Sequence, residues 1–142
     1  LDGKLREHEV GRLLTTIDGI GTQTAARVIA AIGNPAHFRS ASALAAYVGT
    51  IPALKHSGKR QPVRGALTPI GNAQLRAALW MPTLSAVRSN PWLRAHYQRL
   101  IARGKLPKVA LLACMHKLLL AIYSVAKHRR PFVPNLTAPA TP

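Results

Sequence analysis

From Val109 to Ala126 the chain is almost continuously apolar, with Pro107 at its first turn and the cluster Lys127-His128-Arg129-Arg130 at its end. Proline is tolerated at the start of a helix and cations are favoured at its C-terminus, so this stretch reads as one long helix. His116 and Lys117 interrupt it and leave no run of the length a membrane span requires. A helix apolar on most sides must be buried, here in a core or at a subunit interface. The rest of the chain therefore has to supply the surfaces that cover it, and a hydrophobic content of 48% is enough to do so.

The covering elements read as helices too. Arg6 to Thr15 has the pattern of the end of an amphipathic helix, with Val10, Leu13 and Leu14 on one side. Asp18-Gly19-Ile20-Gly21 stops it, Thr22 or Thr24 can cap a second helix through Ile32, and Gly33-Asn34-Pro35 breaks that one. Ser40 or Ser42 can cap a third helix to about Tyr47. Gly49 to Gly71 holds Pro52, Gly58, Pro62, Gly65 and Pro69 among cations, which predicts an irregular basic loop with a short strand near Val63. Asn72 to Ser89 returns to helix with a kink expected at Pro82, and Asn90-Pro91 restarts a helix to about Ala102. The expectation is a mainly α domain over 13–130, preceded by the end of a linking helix at 1–12 and followed by a Pro-rich tail at 131–142 that is disordered or draped over a partner.

Charge narrows the chemistry. Twenty Lys and Arg stand against four acids, a formal net charge of +16, and such self-repulsion is tolerated chiefly when the partner is a polyanion. All four acids, Asp2, Glu7, Glu9 and Asp18, precede Gly19. The body of the chain thus cannot assemble paired carboxylates for acid/base work or an acidic cluster for Mg²⁺. Cys114 stands alone, which excludes an intramolecular disulfide and a cysteine-rich zinc site and fits a reducing cytoplasm. The start lacks both Met and a signal-peptide pattern, which suggests a fragment whose missing part lies upstream.

Three segments are candidates for contact with nucleic acid. Gly19-Ile20-Gly21-Thr22 has the form of a helix-hairpin-helix turn, in which backbone amides and a helix N-terminus approach a phosphate without reading a base. The same letters fit a plain turn with Ile20 plugging the core, and Asp18 would repel a phosphate if it pointed that way. The loop Lys55, His56, Ser57, Gly58, Lys59, Arg60, with Arg64 beyond, joins a hydroxyl to cations that can counter the charge of a phosphodiester, and His56 is a possible proton acceptor. Taken alone, a Ser-Gly in a basic loop is more often a turn. Arg88, Arg94, Arg99, Arg103, Lys105 and Lys108, with Trp92 and Tyr97 between them, fit a nucleic-acid groove and a solvated helix face equally. Tyr47 and Tyr97 are expected in the core, since no Arg/His constellation of a tyrosine recombinase is recognisable.

The ordered series of these pieces resembles the C-terminal domain of insertion-sequence transposases whose N-terminal domain is a RuvC-like DEDD nuclease fold, a group that includes the bridge-RNA-guided recombinases. The resemblance runs from Leu13 to Phe132, through Ile17-Asp18-Gly19-Ile20-Gly21, Ala45-Ala46-Tyr47-Val48-Gly49-Thr50-Ile51-Pro52 and His56-Ser57-Gly58-Lys59-Arg60. It continues through Arg64-Gly65, Gly71-Asn72, Leu75-Arg76, Arg103-Gly104-Lys105 and Lys108-Val109-Ala110. It implies that Ser57 attacks the DNA backbone and holds one end covalently, that Arg76 belongs with the nucleic-acid-binding residues, and that carboxylates of the upstream domain supply Mg²⁺. It further implies a structured guide RNA and a homo-oligomer, with no cofactor in this portion. Relatives commonly carry a second hydroxyl or glycine beside the serine, whereas here Gly58 leads straight to Lys59. Two rival classes share the composition: a non-catalytic helix-hairpin-helix module that only grips DNA or RNA, and a helical module that self-associates through the apolar helix after Pro107.

Overall fold

The computed structural model describes the backbone of residues 2–50 and 69–134, and the side chains of 8–50 and 73–134. Six α-helices occur among the described residues: α1 (Asp2–Leu14), α2 (Thr22–Ile32), α3 (Ala41–Val48), α4 (Pro69–Ser89), α5 (Pro91–Ala102) and α6 (Pro107–His128). A short 3₁₀ turn, Pro35–His37, lies between α2 and α3. No strand occurs among the described residues, in agreement with a mainly helical domain. The expected strand near Val63 lies outside them.

Local chemistry sets most boundaries. Ser40 caps α3, its Oγ accepting from the Ala43 amide at 3.0 Å, and Gly49 ends that helix in the left-handed conformation at φ 94°. Asn34, expected only as a breaker, caps the 3₁₀ turn through the Ala36 amide at 2.9 Å. The cap of α2 differs from expectation. Its N-cap is Gly21, with no side-chain hydrogen bond, and Thr22 already lies within the helix. Helix α4 begins at Pro69, inside the stretch read as loop, and continues through Pro82. Next to that missing amide, the Thr83 hydroxyl donates to the Leu79 carbonyl at 2.7 Å.

Helix α6 is the axis of the bundle. Ala110, Cys114, Met115, Leu118, Leu119, Ala121, Ile122, Val125 and Ala126 are all buried along it. It packs against α1, α3, the 3₁₀ turn, α4 and α5. Contrary to the expectation from its interruption by His116 and Lys117, this 22-residue helix is long and apolar enough to cross a membrane, and its neighbours bury 56% of its most apolar stretch. Val10 and Leu14 of α1 are fully buried in the same cluster, with Ile17, Ile20, Val28, Leu44, Val48 and Leu93. The packed part of the chain continues past 130: Phe132 meets Trp92 edge-on, with ring centroids 5.3 Å apart, and its amide donates to Thr16 Oγ1 at 2.8 Å. Residues 135–142 of the expected tail lie outside the described residues.

Candidate nucleic-acid interface

The Gly19–Gly21 turn is built by packing as well as by its own backbone. Gly19 adopts φ 102°, a region open mainly to glycine, and a Cβ placed there would collide with the backbone and side chain of Ala86 on α4. Ile20 is 3% exposed, so its side chain is a core plug and only its backbone can face a ligand. Gly21 sits in open space, and Thr22 and Gln23 are exposed beside it. Because no side chain caps α2, its first-turn amides keep their capacity to bind an anion. Asp18 is exposed, and its carbonyl accepts from Asn90 Nδ2 at 3.4 Å.

Asn90 is a residue the sequence marked only as a helix restart. It is 1% exposed, and its Oδ1 accepts from the amides of Trp92 at 3.1 Å and Leu93 at 3.4 Å. One side chain therefore caps α5 and ties the Asp18 turn to the α4–α5 junction. Asn-Pro before an apolar pattern signalled the cap; the link to Asp18 had no local signal.

Lys55, His56, Ser57, Lys59, Arg60 and Arg64 lie outside the described residues. The structure does describe where the chain enters that segment. Thr50, immediately before it, places Oγ1 3.3 Å from the Ala45 carbonyl and 3.1 Å from His116 Nδ1 on α6. Burial lowers the basicity of His116, which favours the neutral imidazole in this contact. Arg76, expected at the nucleic acid, donates from Nη1 to the Val48 carbonyl at 3.1 Å and closes the end of α3. A Cβ at Gly49 would run into that guanidinium. Of the five N–H donors on a guanidinium this cap uses one, so it leaves chemistry for a phosphate.

The second basic stretch divides. Trp92 and Tyr97 pack against the core, as a solvated-face reading requires, while Arg88, Arg99, Arg103, Lys105 and Lys108 are exposed. Lys117 of α6, which the sequence reading treated only as an interruption, lies over Trp92 with Nζ 4.8 Å from the ring centroid. Arg99 Nη2 approaches His96 Nδ1 at 3.4 Å. Tyr97 matches its expected place, but Tyr47 does not: it is 47% exposed and pairs with Phe38 at 5.4 Å between centroids. Cys114 is buried, and burial pushes its thiol up to about 11.

Comparison with known proteins bears on these elements together. Residues 11–98 match the family model described as "Transposase IS116/IS110/IS902 family", a span that runs from α1 into α5 and includes the 51–68 segment. The chain is 36% identical over 121 residues to the pilin gene-inverting protein of Moraxella bovis, covering 84% of this chain and 38% of that protein. It is 30% identical over 128 residues to an uncharacterised 43.6 kDa protein of the insertion element IS110 in Streptomyces coelicolor, covering 89% of this chain and 31% of that protein. A putative transposase for the mini-circle IS117 of the same organism is 28% identical over 147 residues. The chain thus spans about a third of the length of the curated relatives it matches.

Proposed function

The chain belongs to the IS116/IS110/IS902 family of transposases, and we propose that it is the DNA-handling domain of a recombinase in which Ser57 attacks the DNA backbone. The observation that carries this reading is the match over 11–98, which takes in the Gly19–Gly21 turn, the Ser57 segment and Arg76 in one ordered series. The name of the Moraxella bovis relative points the same way. Inverting a gene requires strands to be broken and rejoined, and a serine ester does this without an external energy source.

In the proposed step the Ser57 hydroxyl attacks phosphorus, a serine Oγ–P bond forms and the P–O bond to one deoxyribose breaks. The hydroxyl proton passes to a base, for which His56 is placed in sequence, and the departing sugar oxygen is protonated. The number of phosphate ester bonds is unchanged, so a hydroxyl from another strand reverses the step and rejoins DNA. Lys55, Lys59, Arg60 and Arg64 offset the charge of the attacked phosphodiester, while the amides of Gly21 and Thr22 hold a neighbouring phosphate irrespective of base. Mg²⁺ does not fit this part of the enzyme. No carboxylate follows Asp18, and no group of three metal-ligating side chains occurs among the described residues. The metal, with a structured guide RNA and a second copy of the enzyme, belongs to the proposal for the longer protein.

The test uses full-length recombinase, its RNA and a suicide DNA substrate. A denaturation-resistant protein–DNA adduct is expected, mapping to the peptide that contains Ser57. Ser57→Ala should keep DNA binding and lose both adduct and strand exchange. Recombination by Ser57→Ala, or an adduct on Tyr47 or Tyr97, would overturn the assignment, and binding without any adduct would favour a module that only grips DNA.

A further inference from the structure

Helix α5 brings Trp92, His96 and Arg99 to one side, because steps of four and three residues return to the same face of an α-helix, and Arg103, the residue that caps its end, also acts on His96. The short turn after Ala102 folds α6 back along α5. Accordingly Cys114 Sγ lies 3.9 Å from the Leu93 carbonyl and Lys117 reaches Trp92. His96, Arg99, Arg103 and Lys117 therefore share one face, with Lys105 and Lys108 exposed at its tip. The groups that bear on His96 are all cationic or titrate to cations: Arg99 from its own helix, Arg103 from the cap that ends it, Lys117 and His116 from α6. Only four acids exist in the chain, and one of them, Glu9, is 3.3 Å from Arg129. A fold that gathers cations at this spacing without a carboxylate leaves their repulsion to be relieved by an outside anion.

We propose that the α5–α6 face formed by His96, Arg99, Arg103 and Lys117 is a second phosphate-backbone contact for nucleic acid, in addition to the Gly19–Gly21 turn. The proposal rests on the reading that this chain handles nucleic acid, but it does not require a serine nucleophile. From His96 to Arg103 the face extends about 10 Å along the helix axis at 1.5 Å per residue. One strand of a duplex offers a charge about every 3.4 Å of its own axis, so the face meets more than one phosphate. Trp92 supplies the floor on which Lys117 is held. Burial, and then Lys117 and the two arginines, keep His96 less basic than usual in the free protein. A phosphate arriving on the face offsets the cationic part of that effect, so binding favours protonation of His96 at the expense of its contact with Arg99. Affinity should then rise as pH falls, by at most about tenfold per unit for one linked proton.

The experiment measures the affinity of the whole chain for labelled duplex DNA and for a labelled RNA hairpin across a salt series. Arg99→Ala with Arg103→Ala should lower the slope of log affinity against log salt on duplex DNA by about 1.8, two contacts at about 0.9 each. A matched pair of exposed cations elsewhere, Arg39→Ala with Lys127→Ala, should change it far less. His96→Gln should lose the rise in affinity that the parent chain shows as pH falls. A reduced slope on DNA, on RNA or on both supports the face and tells which nucleic acid occupies it. An unchanged slope on both probes, an equal fall in the control pair, or a full pH response in His96→Gln overturns it. If the unmodified chain binds neither probe, this face and the DNA-handling reading fall together. If the face binds but full-length enzyme forms no adduct, only the role of Ser57 falls.

Discussion

Gly19 and Gly21 look equivalent in the sequence, yet they answer to different demands. Gly19 has a positive φ and no room for a Cβ beside Ala86, so Gly19→Ala combines backbone strain with overpacking of a closed contact. A loss of at least about 2 kcal/mol is expected in urea unfolding. Gly21 has an extended φ of −89° and nothing within reach of a Cβ, so Gly21→Ala should cost under about 1 kcal/mol. A bulky substitution at Gly21, by blocking approach to the amides, should instead weaken binding to unrelated DNA sequences alike, because amides at a helix N-terminus do not discriminate bases. Equal stability losses for the two substitutions, or a loss of affinity for one sequence only, would contradict this division.

At the scale of elements, the junction between α4 and α5 depends on one buried amide. Asn90→Ala removes two cap bonds and the donor to the Asp18 carbonyl, leaving buried polar groups without partners. It should cost about 1–3 kcal/mol. Asn90→Asp is the more informative change. Aspartate is as good an N-cap as asparagine, but here its second oxygen would face the Asp18 carbonyl in a site that is 1% exposed. The variant should therefore also be destabilised, and thermal unfolding that finds Asn90→Asp equal to the parent would show that the link to the Asp18 turn contributes nothing. The helices themselves were readable because their stops and starts are local: Gly33 and Pro35 after α2, Ser40 before α3, Asn90-Pro91 before α5 and Pro107 before α6. The cap of α2 was misread because a threonine can cap a helix, but here the turn ends one residue earlier, at Gly21.

The molecule as a whole carries almost no carboxylates, so its response to acid should come from elsewhere. Acid unfolding usually reflects protonation of paired acids, but the ion pair of Glu9 with Arg129 is exposed on both sides and contributes little. Burial lowers the basicity of His96 and His116 below the usual 6.5. The unfolded chain then binds more protons than the folded one. Stability is complete above the unfolded value and declines as pH falls through it towards the lower folded values. Melting temperature should fall from about pH 8 to about pH 5, and His96→Gln with His116→Gln should flatten that decline. An undiminished decline in the double variant would assign acid sensitivity to general charge repulsion.

What the sequence determined by itself was what depends on near neighbours or on composition. Its Pro, Gly, Ser and Asn positions set helix limits through backbone sterics and capping, and its lack of acids after Asp18 excluded carboxylate chemistry from the body of the chain. The apolar stretch after Pro107 required a cover, but its letters did not say which helices provide it. Tertiary packing decided the pairings between distant residues. Gly19 must be glycine because of Ala86, Arg76 closes the end of α3 at Val48, His116 meets Thr50 at the entrance to the Ser57 segment, and Lys117 joins the cationic side of α5. Each of these depends on the rotation and register of one packed helix against another. Those are set by the fit of many side chains at once, and a stretch of neighbouring letters does not encode them.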